Sequence, residues 1–265
     1  MTTAPILEVK RLEKRFGAVV AATGIDVEVR PRDRIGIIGT NGAGKTTFVN
    51  MVTGYLEPSG GDIRFEGRSV LGRPPREVTR LGICRSFQVP QVFGSRTVLE
   101  NLVMALALAE ATGLALLADP WTSDRAERAR RTLAEYGIGD QADREAGLVS
   151  QGVRKLLDIA MAMAHRPKIL LLDEPTSGVS QEEKLAIMAT VMEALDREGV
   201  TVLFVEHDMD IVARYAGRVL AFMEGRIIAD GPPQDALNHP KVLEVIVGEG
   251  SFSGARATQR EPADA

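Results

Sequence analysis

The sequence predicts an α/β fold with a mostly parallel core sheet, an antiparallel β region at the N-terminus and an inserted helical lobe. Three observations predict it. "RIGIIG", "KILLLDEP" and "VTVLFVEHD" are apolar without alternation, as strands covered on both faces of a parallel sheet must be. The early runs "ILEVKRL", "IDVEV" and "DIRFEG" instead alternate with period two, as half-solvated strands do. From about Pro90 to Ala164 the texture turns to Ala, Leu, Glu and Arg, the residues that favour helices.

In chain order, Gly and Pro punctuate the alternating strands of the first third, and Cys84 sits in a strand-like run between Ile83 and Arg85. "RIGIIG" runs into a Gly-rich turn and then a helix starting near Lys45. "LVMALALAEATGLALLA", Leu102 to Ala118, is interrupted by Glu110, Thr112 and Gly113 and falls short of a bilayer span, so it reads as a helix packed in the lobe. "SDRAERARRTLAEYGI" reads as a helix capped by Ser123 or Asp124. After "KILLLDEP" comes the amphipathic helix "QEEKLAIMATVMEALDREG". "VTVLFVEHD" follows as a buried strand, and "VLAFMEGRIIADG" as a hairpin turning at Glu224-Gly225. Strand, helix, strand, helix in that order requires right-handed crossovers. Residues 249–265 are small and polar, the composition of a disordered tail.

Bulk numbers exclude several classes. With 265 residues the chain can bury a large core. Lys and Arg number 32 against 36 Asp and Glu, a net charge of −4, so general affinity for nucleic acid is disfavoured. One cysteine cannot form an internal disulfide, which suits a reducing compartment. The N-terminus turns charged at once and lacks the apolar run of a signal peptide.

The chemistry begins at "GTNGAGKTT": Gly39, Thr40, Asn41, Gly42, Ala43, Gly44, Lys45, Thr46 and Thr47. The spacing G-x-x-x-x-G-K-[ST] between strand and helix lets successive backbone N–H groups converge on phosphate oxygens, with the following helix adding its dipole. Lys45 reaches the β- and γ-phosphates of a bound nucleotide, and the Thr46 hydroxyl can ligate Mg²⁺. Independently, "ILLLDEP" brings Asp173 and Glu174 out at the C-terminal edge of a strand, where ligands bind in open α/β sheets. Asp173 would hold Mg²⁺ through water, and Glu174 would orient or deprotonate the attacking water. "VEHD" places His207 at the same edge, as a γ-phosphate sensor or, taken alone, a structural histidine.

With these three motifs the chain resembles the ATP-binding subunits of ABC transporters, from about Ile6 to Gly248. The resemblance implies a RecA-like P-loop core (residues 1–89 and 165–248) with the helical lobe at 90–164, forming one ATPase domain over 1–248. It implies that Phe16 in "KRFGAVVA" stacks on adenine, although a core aromatic fits the residue too. It also implies that Gln88 in "SFQ" touches Mg²⁺ and the attacking water. The stretch "VSQGVRKLLDIA", a loop that flows into a helix, stands where the family has Leu-Ser-Gly-Gly-Gln: Ser150 and Gly152 match the signature serine and second glycine, while Gln151 and Val153 depart from it. "SGVS", Ser177 to Ser180, matches the dimer-contact loop, with Ser180 where Asp or Asn is usual.

"FGSRTVLENLVMAL", "VEHDMDIV" and "HPKVLEVIVG" resemble the importers of branched-chain amino acids, urea and short amides. That resemblance implies an ATPase at the cytoplasmic face of the inner membrane. It would pair with a second ATPase subunit, identical or different, dock on transmembrane permease subunits and be served indirectly by a solute-binding protein. Two alternatives stay open: an ABC ATPase of another transporter class, and a soluble ABC ATPase of DNA repair or translation.

Overall fold

The computed structural model describes residues 4–111 and 119–247. Two sheets carry the fold. The first is antiparallel, in the order β2-β1-β4-β5, from β1 (Leu7–Phe16), β2 (Val19–Val29), β4 (Gly60–Phe65) and β5 (Arg68–Ser69). The second has the order β10-β9-β3-β8-β7-β6. In it β3 (Arg34–Gly39), β6 (Ile83–Arg85), β7 (Ile169–Asp173), β8 (Thr201–Val205) and β9 (Arg218–Met223) run parallel, and β10 (Arg226–Gly231) closes one edge antiparallel. The expected α/β architecture is therefore present, antiparallel N-terminal sheet included.

The continuous apolar runs follow from this layering. Ile35 and Ile37, with Ile169 and Leu171, face the core under the antiparallel sheet. Ile38, Leu170, Leu172, Val202 and Phe204 face the opposite core, shared with the helices. A strand buried on both faces has no position where a polar side chain is cheap. Cys84 belongs to the second core, and burial pushes its thiol up to about 12, in keeping with a packing role.

The helices are α1 (Lys45–Val52), α2 (Pro75–Leu81), α3 (Val98–Glu110), α4 (Ser123–Glu135), α5 (Gln151–Met163), α6 (Gln181–Glu198), α7 (Met209–Tyr215), α8 (Pro233–Leu237) and α9 (Pro240–Val242). α3, α4 and α5 make the expected lobe. The hairpin turns where the sequence places it, with Glu224 and Gly225 both at positive φ (48° and 74°), as a two-residue turn between twisted strands requires.

One expectation is corrected. α4 is capped by Thr122, whose side chain accepts from Arg125 N, while Ser123 is already the first helical residue. Any of three consecutive polar residues could cap, and the path of the incoming chain chose the first. No pattern in the sequence marks α2, which buries only Val78. The Leu102–Ala118 run is helical to Glu110 and capped at Ala111, and its residues 112–118, with the tail at 249–265, lie outside the described residues. Among the described residues no helix is long and apolar enough to cross a membrane.

Candidate functional site

β3 delivers the phosphate loop to the C-terminal edge of the sheet. A Cβ on Gly39 would stand 2.5 Å from Phe222 O, and one on Gly44, at φ 101°, would stand 2.6 Å from Ala21 O. Only glycine fits at either place. Gly225, in the β9–β10 turn, donates its N–H to Ala43 O at 3.0 Å, so the hairpin props the loop from behind. Lys45 is 6% exposed and its Nζ donates to Gly39 O (2.6 Å) and Thr40 O (2.9 Å). Burial lowers the Lys45 pKa, while Glu174 and Asp173 act in the opposite sense. Asn41, Gly42 and Thr46 face solvent, and Thr47 is half-buried.

The acidic pair emerges from β7, adjacent to β8 and two strands from β3. Glu174 leaves the sheet in the left-handed region (φ 48°), a conformation that costs of order 1–3 kcal/mol outside glycine and concentrates at functional sites. Its N–H donates to Val205 O at 3.0 Å. Two predicted residues converge on its carboxylate: Gln88 Nε2 donates to Oε2 at 2.7 Å, and His207 Nε2 lies 3.1 Å from Oε1. With a carboxylate as its partner, Nε2 of His207 is the protonated nitrogen.

Several residues at this edge were not legible in the sequence as functional. Asp173 is paired with Arg85 at 2.5 Å, both side chains buried, and Arg85 also donates to Asn50 Oδ1 at 2.5 Å. Arg85 Nε has no partner among the described residues. Glu206 is buried and accepts from Thr176 N (3.0 Å), Thr176 Oγ1 (2.7 Å) and His207 N (3.2 Å), which fixes the backbone beneath His207. Burial raises its pKa, and those hydrogen bonds lower it. Asp208 caps α7 and pairs with Lys184 at 3.0 Å. Arg85, Asn50, Thr176 and Lys184 belong to no quoted motif, and the groups they pair with come from other parts of the chain.

Ser150 and Gly152 lie apart from the phosphate loop, at the start of α5, with Ser150 exposed and Gly152 buried. The expected passage from loop to helix is present, but the helix starts earlier than expected: α5 begins at Gln151, so Gln151, Gly152 and Val153 are already its first turn. Ser150 Oγ accepts from Val153 N at 3.3 Å and caps the helix. Gln151 is absent from the positive-φ residues, so it occupies this position without strain. A Cβ on Gly152 would come within 3.3 Å of Ile187 Cδ1, a tight contact that the flexible end of that side chain can relieve. Among the described residues no hydrogen bond joins Ser150 or Gly152 to the phosphate loop. Ser180 is the N-cap of α6 in a capping box with Glu183, a role Ser fills as well as Asp or Asn. Phe16 is 50% exposed at the end of β1, with Lys14 Nζ 5.1 Å from its ring centroid, so it is not a core aromatic.

The arrangement therefore offers a backbone cradle for phosphate, a carboxylate held between an amide and an imidazole, and an exposed aromatic ring. A family model described as ABC transporter matches residues 22–177. The high-affinity branched-chain amino acid transport ATP-binding protein LivG of Salmonella typhimurium is 35% identical over 251 residues, covering 92% of this chain and 98% of that protein. BraF of Pseudomonas aeruginosa, named likewise, is 36% identical with the same coverage. Among solved structures, the ADP conformation of MJ1267, an ATP-binding cassette of an ABC transporter, has a TM-score of 0.82 at 34% identity. It covers 93% of this chain and 100% of that one.

Proposed function

This chain belongs to the ABC transporter family, and from that premise we propose that it is the ATP-hydrolysing subunit of an importer. The solutes are branched-chain amino acids or related small amides, as the names of its relatives suggest. The observation that carries the catalytic part is the Glu174 carboxylate held from both sides by Gln88 and His207.

In this reading the phosphate-loop amides and Lys45 hold the β- and γ-phosphates, and the start of α1 adds its dipole. Phe16 stacks on adenine. Thr46 and Asp173, with Gln88, are hard oxygen donors of the kind Mg²⁺ accepts beside phosphates. Arg85 engages only Oδ2 of Asp173, which leaves Oδ1 available, so the residues fit the ion. Bound there, Mg²⁺ would offset phosphate charge. Gln88 and His207 orient the Glu174 carboxylate, which takes a proton from the water attacking the γ-phosphate, and His207 then faces the departing phosphate.

Ser150 and Gly152 lie outside this constellation, and we assign them to ATP held by a second ATPase subunit, identical or different. Residues 1–248 form one ATPase domain in this reading. It attaches to permease subunits at the cytoplasmic face of the inner membrane, and a solute-binding protein delivers the cargo. Replacing Glu174 by Gln tests the reading. Loss of a positioned base is worth about 10²–10⁴-fold in rate. Hydrolysis should fall by that order while ATP binding persists, and unaltered hydrolysis would remove Glu174 from the role of base.

A further inference from the structure

One buried cation near the acidic pair has no part in the reaction as set out above. Lys155, in the second turn of α5, is 2% exposed. Its Nζ donates to Glu174 O at 2.8 Å and Ser177 Oγ at 3.0 Å, with a longer contact to Gln88 O at 3.4 Å. An ammonium has three donors and no acceptor, and here each donor has a partner. Two of the three partners are backbone carbonyls of the residues that meet through their side chains, Gln88 and Glu174.

One turn further along α5, Asp158 accepts from Phe87 N (3.1 Å) and Gln91 N (2.9 Å) and so brackets Gln88 on both sides. Burial lowers the Lys155 pKa, while the carboxylates of Glu206, Glu174, Asp158 and Asp173 favour its charged form. Burying an ammonium is costly unless it is fully paired, and a side chain that merely filled this space could be apolar. The Glu174 carbonyl matters because that residue is left-handed. Holding the carbonyl holds the backbone conformation from which the carboxylate projects.

We infer that Lys155 is a positioning residue for Glu174. It fixes the Glu174 carbonyl against the Gln88 loop and fastens the catalytic turn to the helix that begins at Ser150. The inference rests on the reading of Glu174 as the base.

The test compares the full chain with Lys155→Met, Lys155→Arg, Glu174→Gln and the double variant Lys155→Met/Glu174→Gln, measuring steady-state ATP hydrolysis and ATP affinity. Lys155→Met should lower kcat by about tenfold or more and leave the ATP Kd within about threefold, because it misplaces the base and not the phosphates. Lys155→Arg, which keeps the donors, should recover part of that loss. In the Glu174→Gln background the Met change should cost less than about twofold further, since a residue that acts through another shows no separate effect once that other is gone.

Should Lys155→Met not fold, Lys155→Gln takes its place in the same comparison. A kcat within about twofold of wild type, or a loss that multiplies in full in the Glu174→Gln background, would overturn the inference. If Glu174→Gln hydrolyses ATP at the normal rate, the assignment of the base itself fails. If Glu174→Gln is impaired while Lys155→Met is normal, only the role of Lys155 fails.

Discussion

The phosphate loop and the start of α5 both present a helix N-terminus in the reading above, yet they are built in opposite ways. At α1 the cap is Gly44 at φ 101°, with no side-chain cap among the described residues and with neighbouring backbone where any Cβ would go. At α5 the backbone is ordinary: Ser150 is extended, its hydroxyl caps the first turn, and Gln151 enters the helix without a positive φ. One site depends on conformations that only glycine reaches. The other depends on a regular helix that many residues can enter. The difference explains why the first motif is spelled out in full while the second departs from Leu-Ser-Gly-Gly-Gln at Gln151 and Val153.

The contrast can be broken most severely at Gly44. Gly44→Ala would place a methyl 2.6 Å from Ala21 O in a left-handed conformation, so the loop must shift. ATP affinity should fall by about 100-fold, roughly 2.7 kcal/mol, in a direct binding titration. Near-normal affinity would show that the loop yields easily.

Gly152→Ala should act differently. The nearest atom is the flexible end of Ile187 at 3.3 Å, and alanine favours helices, so thermal stability should stay within about 1 kcal/mol of wild type. Any cost should appear in ATP-driven pairing with the second subunit, weakened by about tenfold in sedimentation. Loss of the subunit's own ATP binding would instead place Gly152 at its own site.

Ser150→Ala removes the cap of α5, worth about 1 kcal/mol, which for a chain of this size lowers the melting temperature by roughly 2–4 °C. The smallest effect belongs to Gln151→Gly, which restores the residue usual in the family. Because Gln151 carries no strain, the change should leave stability unaltered or reduce it by less than about 1 kcal/mol. A clear gain would mean that Gln151 is strained after all.

Legibility followed locality. The phosphate loop, the acidic pair, the hairpin turn at Glu224-Gly225 and the apolar strands each lie within a few consecutive residues, and each can be read from spacing and residue type. His207 could be read from its place at a strand's end beside the other two motifs, whereas Gln88 was legible only through resemblance to a family. Arg85, Lys155, Asp158 and Glu206 escaped because a buried charge is recognised by its partner, and their partners lie in other segments of the chain. The cap of α4 was missed by one residue for a related reason, since Thr122 and Ser123 differ only in where the chain enters.

By itself, then, the sequence determined the layered α/β core, the glycine-dependent phosphate loop and the carboxylates at a strand's end. Backbone sterics and burial act through near neighbours, and their pattern is written in the chain. Only the tertiary structure decided what holds those carboxylates: Gln88 and His207 on Glu174, Arg85 on Asp173, and Lys155 beneath the turn between them. Hydrogen bonds and ion pairs at such sites are set by distance in space: Arg85 and Asp173 meet although they stand 88 positions apart in the chain.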